Sequence, residues 1–112
     1  MALRRLAIVG TGLIGASVGL AAKRAGVEHV SGYDADPDAL AVAAERGAVD
    51  LAAGSLVAAV EEAELAIVAT PVARLAEDVG AVLEAGAGVT VTDVGSTKGR
   101  LCAGVEDRKS VV

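Results

Sequence analysis

Leu6-Ala7-Ile8-Val9-Gly10-Thr11-Gly12-Leu13-Ile14-Gly15 begins as an apolar, partly β-branched run, breaks into three glycines and continues as an Ala-rich, helix-like segment. Strand, glycine turn and helix in that order make a phosphate-binding turn, because three steric demands fall on three positions. Gly10 lets the chain turn tightly, Gly12 lets backbone approach a pyrophosphate, and Gly15 lets the helix pack close to the strand. The spacing alone is weak in a chain with 14 glycines among 112 residues. Its context, a strand before, a helix after and an acid downstream, makes it specific.

The same stretch has a rival reading as an export signal, since Arg4 and Arg5 precede the uncharged run Leu6 to Ala22. Interior glycines weaken a helical apolar core by about 1 kcal/mol each relative to Ala. A discarded signal also has no reason to be followed by an acid at a fixed distance. The binding-turn reading is therefore preferred.

Working outward, strand-length apolar runs alternate with helix-length segments, the mark of a parallel sheet with crossover helices. Strands are expected at Leu3 to Val9, Glu28 to Tyr33, Ala48 to Leu51, Leu65 to Ala69 and Gly88 to Thr92. The first helix is expected from Thr11 to Ala25, stopped by Gly26. A second opens at the cap and proline Asp36-Pro37 and runs to Arg46, where Gly47 ends it. A brief third follows Gly54-Ser55 to Glu61 or Glu62. Thr70-Pro71 repeats the cap-plus-proline device for a fourth helix to about Glu84, and Ser96 caps a last one through Val105. Right-handed crossovers wind this series into an α/β, doubly wound parallel sheet ordered 3-2-1-4-5, with helices on both faces. One domain, residues 1–112, accounts for the whole chain.

Composition narrows the partners. A formal charge of −5 and a single aromatic residue, Tyr33, oppose nucleic-acid binding, which needs clustered cations and stacking platforms. Cys102 is the only cysteine and His29 the only histidine. No disulfide or metal cluster is therefore expected, and a reducing cytoplasm fits. No stretch is long enough and free enough of glycine to cross a membrane.

In a sheet of this order, ligands sit at the carboxyl ends of the strands around the switch between strands 1 and 4. The amides from Thr11 to Ile14 are expected to face an anion at the positive end of the first helix. Cofactor contacts are accordingly expected at Gly10, Thr11, Gly12, Leu13, Ile14 and Gly15. Asp34 ends strand 2, about 20 residues on, where a carboxylate meets the adenosine ribose and repels a 2′-phosphate. Ala35 follows it in place of an Arg, so NAD is expected over NADP. Thr70 and Pro71 fit a helix start, and also a contact on the nicotinamide-ribose side. Ser96 fits a helix cap, and Lys98 a solvated surface charge.

Ile8 to Ser17, Ala69-Thr70-Pro71-Val72 and Val91-Thr92-Asp93-Val94-Gly95-Ser96-Thr97-Lys98, in that order, resemble the prephenate dehydrogenase family and its Rossmann-type cofactor domain. The Asp-Val-Gly-Ser-x-Lys stretch is the most specific of the three. The resemblance covers about residues 3 to 100. It implies oxidative decarboxylation of prephenate or arogenate in tyrosine synthesis, with Ser96 near the substrate's ring hydroxyl and Gly10, Gly12, Gly15 and Asp34 on the cofactor. Family members continue with a His-Pro-Met segment, whose histidine takes the hydroxyl proton, and then a helical domain that binds substrate and forms the dimer. This sequence shows neither before Val112, and His29 at the start of strand 2 belongs to the wrong end of the sheet for such work. The chain is thus expected to bind cofactor, to associate with itself through an uncovered strand edge, and to fail at turnover alone. The alternatives are a stand-alone dinucleotide-binding module, the cofactor domain of another β-hydroxyacid-type dehydrogenase, and a fold kept for assembly with an empty pocket.

Overall fold

The computed structural model describes residues 3–85 and 88–94. Nine elements alternate along the chain: β1 (Arg5–Val9), α1 (Leu13–Arg24), β2 (His29–Tyr33), α2 (Pro37–Glu45), β3 (Leu51–Ala52), α3 (Leu56–Val60), β4 (Leu65–Val68), α4 (Val72–Ala85) and β5 (Thr90–Asp93). All strand pairs are parallel and the order is β3-β2-β1-β4-β5, the order the crossover argument requires. The last expected helix, with Ser96, Lys98 and Cys102, lies outside the described residues.

β1 is central and its side chains divide between two cores. Ala7 and Val9 face one side with Leu75, Val79, Val82 and Leu83 of α4 and Ala59 and Val60 of α3. Leu6 and Ile8 face the other, with Val30, Leu40 and Ala43, and α1 packs there through Ala16, Val18 and Leu20. A strand buried on both faces has no polar side to alternate with, which is why β1 and β4 read as continuous apolar runs.

Several boundaries differ from expectation for local reasons. The third strand moves from Ala48–Leu51 to Leu51–Ala52, because Ala48 and Val49 turn inward to fill the core beneath α1. There a Cβ on Gly19 would stand 2.3 Å from the Ala48 carbonyl oxygen, so backbone meets backbone. β5 starts at Thr90 and not Gly88, whose φ of +81° is incompatible with a strand. β1 starts at Arg5 and not Leu3, since the N–H groups of Arg4 and Arg5 both donate to the Glu64 carboxylate. α1 starts at Leu13, two residues later than Thr11.

Caps follow the sequence at two helices and depart from it at a third. Asp36 accepts from the Asp38 N–H at 3.0 Å, with Pro37 at the first position of α2. Ser55 accepts from the Ala58 N–H at 3.1 Å. Thr70 does not repeat the device with its side chain, because its hydroxyl has no hydrogen-bond partner among the described residues. Its methyl is instead turned toward the glycine turn, 2.9 Å from where a Gly10 Cβ would lie.

The amino end of the sheet is tied by charge. Asp50 accepts from Lys23 Nζ and from the Val30 N–H, each at 2.8 Å. Burial raises the Asp50 pKa, but those two hydrogen bonds and the charges of Lys23 and His29 outweigh it. The group is held below its ordinary value of 3.8.

Candidate functional site

The carboxyl ends of β1, β2 and β4 converge on a pocket of about 600 Å³. One wall carries Asp34, Ala35, Asp36 and Ala39; the other carries Thr70, Pro71, Val72, Arg74 and Asp78, with the glycine turn between them. His29 lies at the opposite end of the sheet and lines a separate cavity of about 220 Å³ with Arg5 and Glu62. The expectation that it is at the wrong end holds.

Each glycine of the turn meets a different environment. Gly10 has φ +96° and donates its N–H to the Tyr33 carbonyl at 2.8 Å. A Cβ there would also lie 2.8 Å from the Ala69 carbonyl carbon. Gly15 sits where a Cβ would overlap the Gly10 carbonyl oxygen, at 1.9 Å, so helix and strand approach as closely as backbone allows. Gly12 has nothing within 4 Å of its Cβ position. Gly12 also lines the pocket, and the missing side chain leaves room for a ligand to reach the main chain.

α1 presents a bare N-terminus. Its first turn holds no acidic residue, Gly12 supplies no side-chain cap, and Lys23 and Arg24 occupy its last turn. The first intrahelical bond runs from the Ala16 N–H to the Gly12 carbonyl, so the N–H groups of Leu13, Ile14 and Gly15 precede the ladder. An anion there gains from the aligned peptide dipoles, roughly 0.3–2 kcal/mol. Leu13 is 83% exposed and Ile14 57% exposed, an apolar lip over those amides.

Thr11 differs from its neighbours in the turn. It is 3% exposed, and both its N–H and its hydroxyl donate to Asp34 Oδ2, at 2.7 and 3.1 Å. Its amide and hydroxyl are therefore engaged within the protein, where they hold Asp34 in place. The other carboxylate oxygen of Asp34 accepts from the Asp36 N–H at 2.8 Å. A carboxylate has about four acceptor positions, so Asp34 keeps capacity for further donors.

Two residues on α4 escaped sequence reasoning. Arg74 is the only cation among the described residues lining the pocket, and Asp78, one helical turn on, is 7% exposed. Their closest charged atoms are 3.9 Å apart. The available signal was an acid in the apolar stripe Leu75, Val79, Val82, where i, i+4, i+7 spacing calls for hydrocarbon.

The family described as prephenate dehydrogenase, nucleotide-binding domain, matches residues 18–111, most of the chain. The chain belongs to the prephenate dehydrogenase family. It is thus the nucleotide-binding domain of an oxidoreductase family. The matched residues begin after the glycine turn.

Solved structures agree. Prephenate dehydrogenase from A. aeolicus, in complex with hydroxyphenyl propionate and NAD+, matches with a TM-score of 0.85 and 26% identity over 96% of this chain and 38% of that one. Synechocystis arogenate dehydrogenase matches with a TM-score of 0.85 and 26% identity over 95% of this chain and 38% of that one. The 3-hydroxyisobutyrate dehydrogenase of Mycobacterium tuberculosis, 24% identical over 98% of this chain and 39% of its own, shares the fold with a TM-score of 0.79. The chain therefore spans well under half the length of these proteins. No curated protein matches the sequence. Among the described residues no helix is long and apolar enough to cross a membrane, and no group of three or more potential ligands could hold a metal.

Proposed function

We propose that this chain is the NAD-binding portion of a cytoplasmic prephenate or arogenate dehydrogenase of tyrosine biosynthesis. The observation that carries the cofactor assignment is Gly12, which lines the pocket with nothing within 4 Å of its Cβ position, beside Gly10 and Gly15, where a Cβ would meet backbone. A turn serving packing alone has no need of the open position.

In this reading the amides of Leu13 and Ile14 hold the pyrophosphate at the α1 terminus. Asp34 accepts from the adenosine ribose hydroxyls, and Thr11 fixes its orientation. Pro71 and the backbone at Thr70 line the path toward the nicotinamide ribose. Bound there, the nicotinamide supplies hydride-accepting chemistry, while the protein supplies position and field. Ser96 is kept as the substrate-side residue on the family resemblance. The substrate carboxylates and the general base are assigned to other parts of the full-length enzyme, so the domain alone is expected to bind without turnover. Self-association is part of the same reading, and sedimentation velocity tests it: a monomer at high concentration would remove it.

NAD is favoured over NADP because Asp34 and Asp36 crowd one wall with negative charge and Arg74, the single cation among the described lining residues, faces the buried Asp78. Calorimetric titration with both cofactors tests this. NAD should bind at least about tenfold tighter, and Asp34→Asn should narrow the gap. Equal affinity would reject the NAD preference, and no binding of either at millimolar concentration would reject the cofactor assignment.

A further inference from the structure

Arg74 and Asp78 are placed against the ordinary preferences of a helix. Leu75 and Val79 are buried in the core, which fixes the rotation of α4 and leaves Arg74 and Asp78, four residues apart, together on one flank. The Arg74 N–H donates to the Pro71 carbonyl at 2.8 Å, so this cation stands in the first turn of α4, where the aligned peptide dipoles oppose positive charge and no acid shares the turn. An acid placed after its basic partner is also the weaker order for a helical ion pair. Burying a carboxylate is unfavourable unless a charge answers it, and Asp78 is buried. Helix stability explains neither residue.

Their effect on the pocket is electrostatic. Arg74 Nη2 and Asp78 Oδ1 are 3.9 Å apart, close enough for Coulomb attraction and too far for a hydrogen bond. The Arg74 side chain is 50% exposed and that of Asp78 only 10%, so of the two the guanidinium is the group that can meet a ligand. It is also the single cation among the described residues that line the pocket, on the wall across from Asp34 and Asp36. A planar guanidinium suits a phosphate group. A phosphate added to a ribose held at Asp34 would have no other cation among these residues to pair with.

We infer that Asp78 is a specificity-determining residue for the cofactor and acts through Arg74. By neutralising the guanidinium it withholds the positive charge that a 2′-phosphate would use, and so excludes NADP from a site that Asp34 already makes unfavourable for it. Asp78 touches no part of the cofactor in this role. The inference rests on the pocket being the dinucleotide site.

Calorimetric titration with NAD and NADP tests it on the native chain, Asp78→Asn, Arg74→Gln and the double variant. Asp78→Asn frees the guanidinium and should raise NADP affinity at least about fivefold more than NAD affinity. Added to Arg74→Gln, the same change should alter NADP affinity by less than about twofold, because nothing is left to free. Asp78→Leu repeats the test with a side chain that suits its buried position, and should give the same gain in NADP. An unchanged NADP-to-NAD ratio in both Asp78 variants, each shown folded by its thermal transition, overturns the inference. So does a gain that survives in the double variant, which would mark a general effect of lost negative charge, and so does a native chain that binds NADP as tightly as NAD. In each of these results NAD still binds and the dinucleotide site stands, whereas no binding of either cofactor to the native chain removes the site and this inference with it.

Discussion

Thr11 and Asp34 are joined by two hydrogen bonds to one oxygen, Asp34 Oδ2, from the Thr11 N–H at 2.7 Å and its hydroxyl at 3.1 Å. The pair ties the turn after β1 to the end of β2, so the groups assigned to phosphate and to ribose are set against each other before any ligand arrives. Thr11→Val keeps the volume and the backbone bond and removes only the hydroxyl. It is expected to lower stability by about 1–2 kcal/mol and to weaken NAD binding severalfold, with Thr11→Ser restoring most of both. Chemical denaturation and calorimetry measure the two, and an unchanged NAD affinity in the Val variant would show that the hydroxyl does not orient Asp34.

Gly12 and Gly15 should separate binding from folding. At Gly12 a side chain enters open space, so Gly12→Val should change stability by no more than about 1 kcal/mol, the scale of a cap substitution. NAD affinity should fall at least about tenfold, because the branched side chain stands where the ligand approaches the main chain. Retained affinity in the folded variant would mean that nothing approaches this face.

Gly15→Ala should do the reverse. Its Cβ would be 1.9 Å from the Gly10 carbonyl oxygen, and neither backbone can yield without moving α1 off β1. A loss of about 1–3 kcal/mol is expected, the range for overpacking. Thermal unfolding without ligand measures it, and an unaltered midpoint would contradict the close approach.

Asp50 sets an acid limit at the other end of the sheet. Its pKa is lowered in the folded chain below the ordinary 3.8, so the folded state binds this proton less readily than the unfolded state. The stabilisation is present above pH of about 4 and is lost as pH falls through the folded value. Asp50→Asn should therefore flatten the acid limb of the stability profile and leave the NAD titration untouched. The pair is partly exposed and the effect modest. Identical acid limbs in variant and native chain would exclude the Lys23–Asp50–Val30 tie as its source.

The sequence by itself determined the strand order, the glycine turn and the capping of α2 and α3. Each rests on sterics or hydrogen bonding between near neighbours, or on the fixed hand of parallel crossovers. It also placed Asp34 at the end of β2, because the separation from the turn is built into one strand-helix-strand unit. Only the tertiary structure decided how Ala48 and Val49 are used: their apolar character suits a strand, but the hollow beneath Gly19 draws them into the core. It likewise decided that Thr11 serves Asp34, and that Thr70 leaves its hydroxyl unpaired and packs its methyl by Gly10. Arg74 and Asp78 reach the same pocket as Asp34 only because α4 packs on the sheet with Leu75, Val79 and Val82 inward, which turns the start of the helix toward the switch point. No local preference encodes that meeting, since it depends on which face of a distant helix the whole core buries.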